Sequence, residues 1–139
     1  MTQDLNGLAN FSGIVDVDKA YKACQAVTKE GAKNFYYAFL TLPKPKRRAI
    51  YAAYAFCRLC DDIADGPDDR PTRRKHLEEV RQRLNSAYIG SPRGDIFTAL
   101  NDSAKRYSIP KSLFENVVKG VEMDLIKNRY DTFLELKEY

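Results

Sequence analysis

Residues 46–67 read KRRAIYAAYAFCRLCDDIADGP and contain the strongest helical pattern in this chain of 139 residues. The pattern predicts a helix that starts near Pro45 or Lys46 and runs to Asp65, because Gly66 and Pro67 end helices. Apolar residues recur at helical spacing along the rest of the chain, and no stretch alternates as a strand does. The sequence therefore predicts an all-α helical bundle.

Five further helical segments are expected, and their boundaries follow from prolines, glycines and capping residues. They are Asp16–Glu30, capped by Asp16 or Asp18 and followed by Gly31; Asn34–Leu42; a helix with Pro71 in its first turn and Leu77, Val80, Leu84 and Ala87 inward; a helix with Phe97, Leu100, Ala104 and Tyr107 inward; and a helix opened by Pro110 with Leu113, Phe114, Val117, Val118, Val121 and Leu125 inward.

A last helix is expected at the end of the chain. Thr132 and Glu135 have the spacing of a capping box, which marks a helix start. The chain ends at Tyr139, about two turns later. We therefore expect these residues, 1–139, to be the N-terminal part of a single longer domain.

The composition excludes several classes of protein. At 44% hydrophobic and 30% charged residues the chain is neither disordered nor membrane-spanning. The first ten residues lack the basic region of a signal peptide. We expect a cytoplasmic protein, with peripheral membrane contact left open. The net charge of +4 is mild and the basic residues are dispersed, so nucleic acid is not an expected partner.

The three cysteines are too few for a disulfide framework. Cys57 and Cys60 form a C-x-x-C pair inside a predicted helix, without the βαβ pattern of a redox motif. Structural zinc sites usually need four Cys or His ligands. We therefore interpret these cysteines as small, buried side chains.

Three carboxylates crowd the end of the strongest helix. Asp61 and Asp65 are four residues apart and share a face, and Asp62 lies beside them. Like charges at this spacing repel, and the macrodipole disfavours anions at a helix C-terminus. A magnesium ion would explain the cluster, because it takes carboxylate oxygens together with phosphate oxygens. The alternative is a solvated acidic end paired with Arg58 or Arg70.

The neighbours of these acids favour an anionic ligand. Tyr54, Arg58, Asp61 and Asp65 form one continuous stripe at helical spacing, which would make a poor core face. An arginine binds phosphate oxygens in a fork, and carboxylates can hold a metal that bridges to the same phosphate. The alternative for Arg58 is a salt bridge to Asp61.

Other candidates have two interpretations each. Phe35 and Phe39 share a helix face, and they belong either to a bundle core or to the wall of an apolar substrate site. Asp124 either pairs with Arg129 or holds a ligand. His76, among charged neighbours, is expected at the surface.

Three motifs together resemble the squalene/phytoene synthase family. They are NFYYAFLTLP at 34–43, YAFCRLCDDIAD at 54–65 and GVEMDL at 120–125, followed in the family's order by Arg129, Tyr130 and ELKEY at 135–139. The resemblance implies the class I isoprenoid synthase fold. It also implies a prenyltransferase that joins two prenyl diphosphates, farnesyl or geranylgeranyl, head to head through a cyclopropyl diphosphate with Mg²⁺. Squalene- or phytoene-type precursors of hopanoids or carotenoids would result.

The resemblance also implies roles for single residues. Asp61 and Asp65 would bind metal, with Asp62 a weaker candidate. Arg58 and Tyr139 would be catalytic, close to the departing diphosphate. The substrate-binding residues would be Gly31, Ala32, Lys33 and Asn34 at a diphosphate, Tyr54 and Arg58 beside it, and Phe35 and Phe39 along the cavity.

This sequence departs from the family pattern at two points. Ala32 and Asn34 stand where the family often has serine, and no second Asp-x-x-x-Asp lies on an unbroken helix. A chain that binds prenyl diphosphate and Mg²⁺ without turnover is therefore one alternative, and a helical interaction module without a ligand is another. The sequence has no Gly-rich dinucleotide loop, and the need for a nicotinamide cofactor stays open.

Overall fold

The computed structural model describes the secondary structure of residues 2–138 and the side chains of residues 17–125. Residues 2–138 contain helices and no strand. The helices are α1 (Thr2–Ala32), α2 (Asn34–Phe39), α3 (Lys44–Ala64), α4 (Arg70–Tyr88), α5 (Asp95–Tyr107) and α6 (Lys111–Glu138). The predicted all-α bundle is confirmed. None of the described helices is long and apolar enough to cross a membrane.

Helix α3 lies at the centre of the bundle and packs against α1, α4, α5 and α6. Its buried face combines small and aromatic side chains at helical spacing. These are Tyr51, Ala52, Ala55, Phe56, Cys60 and Ala64. Ala52 and Ala55 are fully buried, and such small side chains let a neighbouring helix approach closely. The decisive stretch of sequence is thus the helix around which the others are arranged.

The core is centred on Phe56, which is fully buried. Its ring meets Phe97 of α5 edge to face with centroids 6.0 Å apart. It meets Phe114 of α6 in the same manner at 5.2 Å. Aromatic pairs prefer this geometry, and it adds to the free energy of burial. Contacts between these three rings therefore fix the positions of α3, α5 and α6 relative to one another.

The start of α4 follows its prediction. Asp69 is the N-cap, and its Oδ1 accepts a hydrogen bond from the Thr72 backbone N–H at 2.9 Å. Pro71 occupies the first turn, where a missing N–H has no cost.

Helix α1 differs from its prediction at both ends. It begins at Thr2 rather than at Asp16, so neither Asp16 nor Asp18 caps it. Asp18 lies within the helix instead, and its carboxylate accepts a hydrogen bond from Arg48 of α3 at 2.7 Å. Nor does Gly31 end α1, because the helix runs to Ala32 and the chain turns at Lys33 with φ +43°.

Two other predicted boundaries are wrong. Helix α2 ends at Phe39, and tighter turns follow, in which the N–H groups of Thr41 and Leu42 bond to carbonyls three residues back. Helix α6 is continuous through Thr132, so the predicted capping box does not open a separate helix. Helix α6 can continue this far because no proline follows Pro110, and the glycine within it, Gly120, lowers helix stability only modestly.

The predicted inward positions are mostly buried or packed against the core, with two exceptions. Leu113 is 53% exposed and Tyr107 is 39% exposed. Both lie at a helix end and at the edge of their apolar stripe, where neighbouring helices no longer cover them.

The cysteines lie within the packed helices. Cys24 and Cys60 are fully buried, and Cys57 is partly buried. Burial raises the pKa of Cys24 and of Cys60 to about 12 and also raises the pKa of Cys57. Thiolates are therefore scarce at neutral pH, as expected for structural rather than reactive cysteines.

Substitution of Phe56 by alanine should lower the free energy of unfolding by about 3–5 kcal/mol, because it leaves a cavity between three helices. The matched control is Phe35→Ala, since Phe35 is 72% exposed. It should change stability by no more than about 0.5 kcal/mol. Urea unfolding followed by circular dichroism measures both, and equal losses would contradict a core centred on Phe56.

Candidate functional site

The predicted stripe lies on the side of α3 that faces away from the core. Tyr54 is partly buried, and Arg58, Asp61 and Asp65 are exposed. Helix α3 is unbroken from Lys44 to Ala64, and Asp65 is its C-cap. The spacing of four, three and four residues therefore aligns the four side chains, as predicted.

The acids share a common negative field. The pKa of Asp61 is raised, first by burial and then by the charges of Asp65, Asp62 and Asp124. Asp124 is exposed on α6, so a second helix adds a carboxylate to this region. The sequence presented Asp124 only as a pairing or ligand candidate and did not connect it with Asp61.

The arrangement of these acids limits what they could bind. Within the described part of the chain, no group of three or more His, Cys, Asp or Glu residues is arranged to hold a metal ion. Asp61 and Asp65 therefore offer two ligands from one helix. Magnesium commonly takes one or two carboxylates and completes its shell with waters and phosphate oxygens.

Arg58 forms a different ion pair from the expected one. Its Nε lies 3.1 Å from Oδ1 of Asp62, one residue beyond the predicted partner Asp61. Asp62 is four residues from Arg58, which favours a helical ion pair. Both side chains are more than half exposed, so the pair contributes little to stability. Among the described side chains, no ion pair ties up Asp61 or Asp65.

Arg70 does not neutralise the acids either. It donates a hydrogen bond to the backbone carbonyl of Leu125 at 3.2 Å and so links α4 to α6. The alternative of an acidic end paired with Arg58 or Arg70 accounts for Asp62 alone.

The segment Gly31–Asn34 contacts the stripe at Tyr54. A Cβ added to Gly31 would collide with the Tyr54 hydroxyl and would lie 3.1 Å from Cζ of that ring. A larger residue at position 31 would therefore require the Tyr54 ring to shift. The structure thus joins two of the predicted substrate-binding positions.

The rest of that segment is largely open to solvent. Ala32 is partly buried, and Lys33 and Asn34 are exposed. Within the described part of the structure, none of the three forms a hydrogen bond or ion pair with the stripe. Their side chains are accessible, and the structure does not bring them onto Arg58 or the acids.

The aromatic residues of α2 differ in burial, and neither expectation describes both Phe35 and Phe39. Phe35 is 72% exposed, so its interpretation as a core residue is wrong. Phe39 is partly buried and packs against the core. Tyr36, which the sequence analysis missed, is the buried member: its ring stacks on Tyr51 at 5.9 Å, and its hydroxyl accepts a hydrogen bond from Gln25. Helix α2 has only six residues, most of them aromatic, so the sequence pattern does not indicate which of them faces inward.

The remaining candidates lie away from the stripe or outside the described side chains. His76 is near the surface, with its Nδ1 3.6 Å from Asp68. Arg129, the proposed partner of Asp124, and Tyr139, the proposed catalytic tyrosine, both fall outside the described side chains.

The chain is similar to phytoene synthases in sequence. It is 36% identical over 126 residues to 15-cis-phytoene synthase of Synechococcus elongatus, covering 91% of this chain and 41% of that protein. It is 38% identical over 123 residues to 15-cis-phytoene synthase of Synechocystis, covering 88% of this chain and 36% of that protein. The chain thus spans about two fifths of the length of these relatives.

Solved structures show the same fold. The squalene synthase HpnC from Alicyclobacillus acidocaldarius superposes with a TM-score of 0.72 at 25% identity, over 79% of this chain and 41% of that chain. A dehydrosqualene synthase in complex with ligand superposes with a TM-score of 0.70 at 28% identity, over 81% of this chain and 39% of that chain.

The isoprenoid synthase fold implied by the sequence motifs is thereby confirmed. The family model described as squalene/phytoene synthase matches residues 28–139, which include the stripe and the Gly31–Asn34 segment. This chain belongs to the squalene/phytoene synthase family.

Proposed function

We propose that this chain supplies the first metal- and diphosphate-binding half of a prenyltransferase catalytic unit. The complete unit would join two prenyl diphosphates, farnesyl or geranylgeranyl, head to head through a cyclopropyl diphosphate. The observation that carries the proposal is the stripe along α3 and its C-cap, in which Tyr54 is partly buried and Arg58, Asp61 and Asp65 are exposed. Its relatives are named as phytoene synthases, which supports a squalene- or phytoene-type product.

The residues fit a magnesium ion by their chemistry. Asp61 and Asp65 present oxygen ligands to solvent from one helix face, and Asp124 adds negative charge that attracts a cation. Asp62 is the weaker candidate because it is paired with Arg58. A bound Mg²⁺ would stabilise the charge that develops on a departing diphosphate.

The protein side chains would position the substrate. Arg58 would exchange its exposed pair with Asp62 for a forked contact to diphosphate oxygens. Tyr54 would donate from its hydroxyl beside the Gly31 backbone. Phe35, exposed on α2, would form part of an apolar wall that shelters a carbocation from water, together with Phe39. Tyr139 keeps its proposed catalytic role by family resemblance.

A second proposal concerns this chain by itself. Its sequence has one Asp-x-x-x-Asp on an unbroken helix, Asp61 to Asp65, and it spans about two fifths of its phytoene synthase relatives. We infer that it binds prenyl diphosphate and Mg²⁺ without turnover. The same proposal includes a cytoplasmic location. Peripheral membrane contact would bring the chain to prenyl substrates, which carry long apolar chains.

The double variant Asp61→Asn/Asp65→Asn should weaken Mg²⁺-dependent binding of farnesyl diphosphate by at least about tenfold, because it removes two charged ligands. Calorimetric titration with and without Mg²⁺ measures this loss. The control Asp68→Asn removes an exposed carboxylate outside the stripe and should bind normally. In the absence of metal, the double variant should be more stable by a few tenths of a kcal/mol, since repulsion is relieved. Unchanged binding would contradict the assignment of Asp61 and Asp65 as metal ligands, whereas no binding by the unsubstituted chain would favour the helical interaction module.

Substitution of Gly31 by alanine should displace the Tyr54 ring and weaken the same binding several-fold. Gly120→Ala is the matched control, since both glycines lie inside helices and nothing lies within 4 Å of a Cβ added at Gly120. Gly120→Ala should gain about 0.5–1 kcal/mol of stability from helix propensity. Gly31→Ala should show a smaller gain or a loss in the same thermal unfolding measurement. Equal gains would contradict the collision with Tyr54.

Incubation with farnesyl or geranylgeranyl diphosphate and Mg²⁺ tests turnover directly. Mass spectrometry of the organic extract should detect no long hydrocarbon and no cyclopropyl diphosphate from this chain alone. A longer chain that continues through a second Asp-rich motif should form one of them. Product from the 139-residue chain would overturn the inference that it binds without turnover, and would support the prenyltransferase proposal.

A further inference from the structure

A second charged site lies at the opposite end of α3 from the acids. A cleft of about 300 Å³ opens between α1 and the start of α3. We call it the basic cleft, because Lys22, Lys44, Arg47 and Arg48 line it together with a single carboxylate, Asp18. Arg47 and Asp61 lie about 21 Å apart along the helix axis, at 1.5 Å per residue. The basic cleft is therefore separate from the proposed metal site.

One cation of the cleft is held in place by its neighbours. Arg48 donates to Asp18 at 2.7 Å, and its guanidinium lies 3.9 Å from the centre of the Tyr21 ring. Tyr21 is itself fixed, because its hydroxyl donates to Asp102 at 2.6 Å. A positioned guanidinium loses little conformational freedom when it binds an oxyanion.

Two other cations have no acidic partner among the side chains of residues 17–125. Among the described side chains, no carboxylate forms an ion pair with Lys44 or with Arg47. Asp18 is 68% exposed and already paired with Arg48. The cleft therefore has an excess of positive charge that no described part of the chain neutralises.

The backbone around the cleft also favours an anion. Helix α3 begins at Lys44, its N-cap Pro43 supplies no side-chain hydrogen bond, and its first turn contains no acidic residue. The first N–H groups of a helix carry partial positive charge. The positive end of the helix dipole thus adds to the side-chain cations.

The floor of the cleft holds an unused donor. Tyr51 lines the cleft and is only 2% exposed. Its hydroxyl is the one buried side-chain polar atom, within the described residues, that has no hydrogen-bond partner. A buried hydroxyl without a partner is costly. Burial and the neighbouring Tyr36 hydroxyl raise the pKa of Tyr51, so its hydroxyl stays protonated. A ligand oxygen that reached it would satisfy this group.

We propose that the basic cleft binds a phosphate group, with Lys44, Arg47 and Arg48 as its cationic ligands and Tyr51 as a neutral donor. The site goes beyond the proposed prenyltransferase function and does not depend on it. The phosphate group could come from soluble phosphate or diphosphate, or from the headgroup of an anionic lipid. Both sources present the same oxyanion to the same donors.

Calorimetric titration of the 139-residue chain with inorganic phosphate and with diphosphate tests the site, at an ionic strength of about 0.15 M and without Mg²⁺. Lys44→Gln/Arg47→Gln should weaken binding by at least about tenfold, because two charge-assisted hydrogen bonds are lost. The control Arg74→Gln/Lys75→Gln removes the same net charge from an exposed arginine and an exposed lysine of α4, which do not line the cleft. It should change the affinity by less than about twofold, as expected for screened surface charges. Tyr51→Phe should weaken binding several-fold while the melting temperature does not fall.

Sedimentation with vesicles distinguishes the two sources. Vesicles of phosphatidylcholine with phosphatidic acid are compared with phosphatidylcholine alone, for the wild-type chain and both double variants. Binding of soluble phosphate identifies a free ligand, whereas binding only to phosphatidic acid vesicles identifies a lipid headgroup. Either result supports the site if Lys44→Gln/Arg47→Gln abolishes the binding and the control double variant does not. Equal losses in both double variants, or no binding to any of these probes, would overturn the proposal.

Discussion

The packing of Phe56 between Phe97 and Phe114 fixes the rotation of α3 about its own axis. Residues two positions away on either side of Phe56 lie on the far side of the helix, since each residue turns it by about 100°. Tyr54 and Arg58 therefore face outward whenever Phe56 faces inward. The ring contacts that stabilise the core therefore also determine that the polar stripe faces outward.

The charges of α3 run against its dipole along the whole helix. Its first turn holds Lys44, Lys46 and Arg47, where anions would be favoured, and its end holds Asp61, Asp62 and Asp65, where cations would be favoured. A helix selected for stability alone would place these charges the other way round. Burial of its apolar face offsets this cost, and each end is left with a field suited to a ligand of opposite sign.

Sequence patterns predicted those features that depend on one helix at a time. The extent of α3, the Asp69 cap and the alignment of Tyr54 with Asp65 follow from helical periodicity and local capping alone. The patterns failed where a contact between helices decides. Tyr36 rather than Phe35 is buried because it meets Tyr51. Gly31 marks a close contact with Tyr54 rather than a helix end, and Asp124 matters because α6 carries it towards Asp61. Such pairings require knowledge of which helices are neighbours.

The contact between Gly31 and Tyr54 also restricts the order in which this family could accept mutations at the two positions. A side chain at residue 31 meets the hydroxyl oxygen first and the ring carbons next, so a larger residue at position 31 requires either a smaller residue already present at position 54 or a shift of the Tyr54 ring. Where the larger residue at position 31 appears first, the Tyr54 ring must leave its present position. Among homologues, a non-glycine residue at 31 should therefore accompany either a smaller residue at 54 or a tyrosine whose ring points elsewhere.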